Sequence, residues 1–223
     1  EIDDVLAEAH ATLALVRTVF DWDWSGAERG FRRAIELSPS YATARSWYAL
    51  YLMWMGRMKE ALAEMEAARE LDPLSLVIGR NLAQICIFAR EYDRAIDVLK
   101  RTLEMDPGFP VAHVLLGEAY AQKGMRDEAV AEFRMEKELS EGFSPGIDTR
   151  IGSAYVRLGM RGEAERVMRE LAARAAQEYV KPSDLAEVLF SLGETDRAFE
   201  CLEEAVEQRD KGVLGLRVYP VYD

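Results

Sequence analysis

The side chains best suited to metal or nucleophilic chemistry are two histidines, His10 and His113, and two cysteines, Cys86 and Cys201. A zinc site needs several such ligands at short spacing. Neither histidine has a cysteine or second histidine near it in sequence, and His113 is expected as a packed core residue. Cys86 takes a place that Tyr120 and Tyr155 fill elsewhere, and Cys201 adjoins the apolar Leu202, so both read as small buried hydrophobes. No glycine-rich phosphate loop or nucleophile elbow occurs. Acidic pairs such as Glu203-Glu204 are expected to be solvated rather than to act as general acids. No catalytic residue, metal or cofactor is expected. Two cysteines are too few for a disulfide framework, which points to a reducing, cytoplasmic setting.

Charge narrows the partners. Against 28 lysines and arginines stand 40 acids, a net charge of −12. That field repels phosphate backbones and anionic lipid, so neither nucleic acid nor a membrane surface is an expected partner. No apolar run reaches the roughly 20 residues of a membrane span. With 49% hydrophobic and 30% charged residues, the 223-residue chain is long enough for a sizeable core.

The elements that would position any site repeat. Glu36-Leu37-Ser38-Pro39, Glu70-Leu71-Asp72-Pro73 and Glu104-Met105-Asp106-Pro107 recur every 34 residues. Ala27, Ala61, Ala95, Ala129, Ala164 and Ala198 follow at spacings of 34, 34, 34, 35 and 34. Gly56, Gly124, Gly159 and Gly193 each lie five residues before their alanine. The period cuts the chain into units at about 8–41, 42–75, 76–109, 110–144, 145–178 and 179–212, with a tail at 213–223. Within a unit two helical stripes flank the glycine: Ala44, Trp47, Tyr48, Tyr51 and Leu52, then Ala61, Leu62, Met65 and Ala68. Pro110, Pro145 and Pro182 are expected to open helices. Small residues at Ala49, Ala83, Gly117, Gly152 and Ala186, with the alanine series opposite, let paired helices approach closely. Val213–Tyr219 is the one stretch that could pass for a strand and is left unassigned. The fold class is all-α, and 1–223 is read as a single superhelical domain.

These residues resemble the tetratricopeptide repeat (TPR) over about 8–212. Leu116-Gly117, Tyr120, Gly124, Ala129 and Phe133 carry the likeness best, followed by Ile151-Gly152, Tyr155, Gly159 and Ala164. Arg90 replaces one turn glycine, and Asp21-Trp22-Asp23-Trp24 fills the first turn. The resemblance implies a right-handed α-solenoid of about six helix–turn–helix units acting as a non-enzymatic protein- or peptide-binding scaffold through its concave groove. Phe20-Asp21-Trp22-Asp23-Trp24, Ala42-Thr43-Ala44 and Leu71-Asp72-Pro73-Leu74-Ser75 also resemble the C-terminal TPR arrays of bacterial multidomain regulators. The alternative function is therefore a regulatory arm acting on an N-terminal DNA-binding or kinase domain. The start at Glu1, already helical in pattern and lacking methionine, fits an excised fragment.

In a TPR array the first helices line the groove. Its expected face includes Trp47, Leu50, Trp54, Arg80, Asn81, Gln84, Phe88, Glu118, Arg150 and Arg157. Asn81 is the only asparagine, and an amide on this face suits a peptide backbone. Trp47, Arg80, Asn81 and Gln84 are read as exposed there, whereas Trp54 and Phe88 lean toward packing between units. A carboxylate clamp for chaperone tails is not expected. Arg80 and Arg150 match its basic positions and Gln84 nearly matches, but Leu115 and Gly146 do not. The polar stretch Glu203–Lys211 reads as a cap. The more apolar Ile2–Phe20 end would carry any weak homodimer; otherwise the chain is a monomer.

Overall fold

The computed structural model describes residues 6–140, 144–175 and 179–219, so part of the amino-terminal apolar end and the last four tail residues lie outside it. Among the described residues the chain is helical throughout and has no strand. It forms α1 (Ala7–Val16), α2 (Trp24–Leu37), α3 (Ala42–Trp54), α4 (Met58–Leu71), α5 (Leu76–Phe88) and α6 (Tyr92–Met105). Then come α7 (Ala112–Gln122), α8 (Arg126–Leu139), α9 (Pro145–Arg157), α10 (Arg161–Ala175), α11 (Pro182–Leu192) and α12 (Thr195–Glu207). Odd and even helices are the first and second members of the expected units. Two compact units emerge, residues 1–90 and 91–223, divided between α5 and α6.

The turn between paired helices has one physical design. Gly56, Gly124, Gly159 and Gly193 adopt left-handed backbone, with φ between 71° and 84°. The next amide donates to the carbonyl five residues earlier: Arg57 to Leu52 (2.9 Å), Met125 to Tyr120 (3.0 Å), Met160 to Tyr155 (2.8 Å) and Glu194 to Leu189 (2.9 Å). This closure satisfies carbonyls at the helix end, and the left-handed conformation favours glycine. Arg90 (φ 66°) and Trp22 (φ 57°) hold the same position in their units without being glycine. A π-helical turn, Arg17–Asp21, precedes Trp22, and Asp23 donates one residue further back, to Arg17 (3.1 Å). The Asp23 carboxylate then caps α2 by accepting from the Gly26 amide (2.9 Å).

In the first unit, α1 packs on α2 and α3 on α4. The six-residue alanine series is solvent-excluded throughout the chain, as the close helix crossings require. Phe31, fully buried, meets Tyr48 and Tyr51 at ring-centroid distances of 5.8 and 5.9 Å. Burial of such a ring contributes about 2–3 kcal/mol. On the second-helix side the Glu28 carboxylate accepts from Arg32 (2.6 Å), Tyr48 (3.1 Å) and Arg57 (2.7 Å).

In the second unit the pairs α7–α8, α9–α10 and α11–α12 repeat this packing. Gly117 lies so close to α8 that a β-carbon there would overlap the Phe133 ring. Pro145 and Pro182 open α9 and α11 as expected. Pro110 does not open α7: Val111 follows it in left-handed backbone (φ 70°), and the helix starts at Ala112. The cause is a carboxylate from the partner helix. Buried Glu136 accepts from the Val111 amide (3.3 Å) and the Val114 amide (3.1 Å), capping α7 from α8. Asp210 does the same for α11, accepting from the Ser183 amide (3.2 Å) and hydroxyl and from the Gly212 amide (2.9 Å). This cap folds the stretch left unassigned in the sequence. Lys211–Gly215 forms a 3-10 turn, not a strand.

Candidate functional site

In each unit the first helices lie side by side, α1, α3 and α5 in one and α7, α9 and α11 in the other. Every candidate site residue lies on one of these two faces.

On the first unit's face the candidates divide. Trp47, Leu50 and Trp54 on α3 are half-buried, as are Arg80 and Gln84 on α5. The Trp47 ring packs against the buried alanines Ala11, Ala34 and Ala44, so much of it is internal. Phe88 is buried, in keeping with its packing reading. Asn81 corrects the expectation of an exposed amide. It is 3% exposed, donates through Nδ2 to Ser46 Oγ (3.1 Å) and accepts through Oδ1 from Arg80 Nη2 (3.1 Å). Small Ser46 leaves room for the amide between α3 and α5, and a buried amide must find such partners. Asn81 therefore ties two helices together, and Arg80 leans on it. The exposed surface is carried by Leu50, Trp54, Arg80 and Gln84, with part of Trp47.

On the second unit's face the structure joins two candidates that the sequence placed separately. Arg150 of α9 donates through Nε and Nη2 to both carboxylate oxygens of Glu118 on α7, the second contact at 2.6 Å. Their side chains are only 17% and 15% exposed, so Arg150 is not a solvated cation. Burial works against its charge, but the Glu118 carboxylate outweighs this and raises its pKa. Arg157, two turns on, remains exposed.

Two further carboxyls of α11 share this face. Burial pushes Glu187 up to about 7, and the neighbouring Glu118 charge adds to it while Arg150 opposes. Burial likewise pushes Asp184 up to about 6. Arg150 faces three carboxyls here, with Lys181 and Lys211 also acting on Asp184, and burial is the main reason Glu187 and Asp184 keep their protons.

Sequence reasoning missed Tyr219, which follows the last helix and reaches this cluster. Burial pushes its phenol up to about 12, and it senses the charges of Arg150, Glu187, Glu118 and Asp184. It lies beyond the 34-residue pattern, so periodicity carries no signal for it. An aromatic placed after an otherwise polar final helix was the only available hint.

The metal-capable residues do not gather. Among the described residues no group of histidines, cysteines and acids could hold a metal ion. His113 is packed, its Nδ1 2.6 Å from Glu132 and its Nε2 2.9 Å from the Pro107 carbonyl. Cys86 is buried and Cys201 half-buried, and neither is in a disulfide. No described helix is long and apolar enough to cross a membrane.

Three family models, each for a tetratricopeptide repeat, match residues 23–75, 88–135 and 184–211, together more than half of the chain. The sequence is 24% identical over 161 residues to TPR repeat-containing protein YpiA of Bacillus subtilis (strain 168), covering 71% of this chain and 38% of that one. It spans between 26% and 43% of the curated relatives it matches. The fold is similar to that of TTC0263, a thermophilic TPR protein of Thermus thermophilus, with a TM-score of 0.68 and 20% identity over 88% of this chain and 99% of that one. It is also similar to YrrB, described as a TPR protein with an unusual peptide-binding site, with a TM-score of 0.54 and 18% identity over 90% and 94% of the two chains.

Proposed function

The chain belongs to the tetratricopeptide-repeat family, and from that premise we propose that it is a non-enzymatic scaffold whose first-helix faces bind an extended segment of another protein. The observation that carries this reading is the half-buried row Leu50 and Trp54 on α3 beside Arg80 and Gln84 on α5. A half-buried indole and leucine held by a rigid helix pair, next to groups that donate and accept, make a surface suited to side chains and backbone of a peptide. The negative charge of the chain supports a protein partner over nucleic acid. The presence of only two cysteines, too few for a disulfide framework, fits a reducing, cytoplasmic location. Nothing observed favours the regulatory-arm alternative.

Selection from a displayed peptide library tests the reading. Peptides enriched on the native chain should bind with micromolar affinity and lose at least tenfold on Leu50→Glu/Gln84→Ala. Failure to enrich any sequence, or enrichment indifferent to that variant, would overturn it. These positions are half-exposed, so the variant should keep its helicity and melting midpoint, which circular dichroism checks.

A further inference from the structure

His113 stands in the first turn of α7 with an acceptor against each ring nitrogen. Nδ1 lies 2.6 Å from a Glu132 carboxylate oxygen on α8. Nε2 lies 2.9 Å from the Pro107 carbonyl, at the head of the segment that joins α6 to α7. The residue is 8% exposed, which leaves water little room to replace either partner. Neutral imidazole donates from one nitrogen and accepts at the other, yet a carboxylate and a carbonyl both accept. The two contacts are hydrogen bonds together only when both nitrogens carry hydrogen. The joining segment depends on such tethers. The Asp106 carboxylate accepts from the Gly108 amide (3.0 Å), and the Phe109 amide donates to the Asp106 carbonyl (3.1 Å). At the far end Val111 holds left-handed backbone, which a β-branched residue adopts only when its surroundings impose it. Glu136 imposes it by accepting from the Val111 amide, and His113 fixes the near end through Pro107.

We propose that His113 is a pH-sensitive latch: doubly protonated, it ties residues 107–111 to the α7–α8 pair, and loss of one proton releases them. The latch goes beyond the scaffold reading and stands whatever the first unit binds. A glutamic acid ionises about two pH units below an imidazolium, so the shared proton sits on the ring and Glu132 stays charged. A neutral ring has one hydrogen for two acceptors. The carboxylate is the stronger, so the hydrogen stays at Nδ1 and Nε2 turns its lone pair on the Pro107 carbonyl. The latch is therefore closed at acid pH and opens as pH rises and the second proton leaves. The surrounding charges are otherwise engaged. From α8, Glu136 is committed to the Val111 and Val114 amides, and among the described residues Glu132 has only His113 as an ion-pair partner. From α6, Asp106 holds the Gly108 amide and Lys100 lies over the Tyr120 ring, 5.9 Å from its centre. From α9, Asp148 is answered by Lys137 and Arg150 by Glu118.

The test has two arms on the full, isotope-labelled chain. Proton–nitrogen correlation spectra between pH 5 and pH 9 count the hydrogens on each imidazole, with His10→Gln assigning the two rings. His113 should give up its second hydrogen about one pH unit earlier in Glu132→Gln, which keeps an acceptor but no charge. An unmoved titration would show that the carboxylate does not hold that proton and would overturn the proposal. Hydrogen exchange then reads the latch itself. Corrected for the intrinsic rate, protection of the Phe109 and Ala112 amides should fall at least fivefold from pH 5 to pH 9 in native protein. His113→Phe should show the low protection at both pH values. Asp184 and Glu187 titrate within the same range, so Asp184→Asn/Glu187→Gln is the control and should keep the fall. Protection independent of pH in native protein, a fall that persists in His113→Phe, or one abolished in the control would overturn the latch. If His113→Phe has lost helicity, Glu132→Gln decides, because its fall in protection should move to lower pH together with its ring titration.

Discussion

Arg150 grips Glu118 through a two-pronged ion pair that spans α9 and α7, with both side chains largely buried. Such a pair is weak evidence of net stabilisation, because withdrawing both charges from water costs nearly what their attraction returns. Breaking it is different. Arg150→Met should cost about 3 kcal/mol by leaving Glu118 buried without its partner, whereas Arg150→Met/Glu118→Leu should recover most of that loss. Urea unfolding of the two single variants and the double variant measures the coupling. Additive single effects would show that the pair is not a unit.

The carboxyls around that pair predict an unusual dependence on pH. Glu187 holds its proton in the folded chain to about pH 7, well above an ordinary glutamate. Between the ordinary value and pH 7 the folded state therefore binds more protons than the unfolded state, so stability falls as pH rises. The contribution is fully present below the unfolded pKa and lost once pH passes 7. Glu187→Gln should remove this slope and make the second unit more stable than wild type at pH 8, by on the order of 2 kcal/mol. Chemical denaturation at pH 5 and pH 8 gives the comparison. Equal pH slopes in both proteins would contradict the assignment.

Asn81 and Gln84 are a single turn apart on α5 and differ in role. The Asn81 amide is buried between Ser46 and Arg80, so Asn81→Ala should cost about 1–2 kcal/mol by orphaning a buried partner. Gln84→Ala should leave the melting temperature within about a degree, as surface changes usually do, and act on peptide affinity instead. Thermal melts of the two variants distinguish them. A larger loss for Gln84→Ala would reverse their assignments.

Glycines along the array differ for physical reasons that the sequence hides. Gly124 has a left-handed backbone with open space around it, so Gly124→Ala should cost about 1 kcal/mol from backbone strain alone. Gly117 sits inside α7, where alanine is intrinsically favoured by about 1 kcal/mol. Its β-carbon would nevertheless overlap Phe133, and overpacking of this kind costs about 1–3 kcal/mol. Both variants should thus be destabilised, but only Gly117→Ala should be rescued by Phe133→Leu. Double-variant unfolding settles which cost is steric.

The repeat, its helix pairs and its solvent-excluded alanines were legible because stacking imposes a fixed period on the residues that must be small. Position on a first helix also placed Glu118 and Arg150 on one face correctly. Their ion pair was not legible, since it depends on side-chain reach across a repeat rather than on period. Asn81 misled for a related reason. Its position faces the groove, but the small Ser46 opposite draws the amide inward. Tyr219 lies beyond the repeat, and Glu136 stands in register with the buried Ala34, Ala68 and Thr102, where the period marks a buried position but not a carboxylate that caps α7.

Arg90 offers the most direct test of how the turn is built. It stands in left-handed backbone at φ 66°, in register with glycines at φ 71° to 84°. A side chain in that region costs about 1 kcal/mol, which glycine avoids. Arg90 also donates from Nη1 to the Phe88 carbonyl (3.1 Å), a part-buried contact that offsets part of this. Arg90→Gly should therefore stabilise the protein by about 0.5 kcal/mol. Trp22→Gly relieves the same strain but removes the ring stacked on Trp24 at a 6.3 Å centroid distance, so it should bring no gain. Unfolding midpoints in urea should rise for Arg90→Gly and not for Trp22→Gly. A fall for Arg90→Gly would mean that the arginine's contacts, rather than its backbone conformation, decide the stability of that turn.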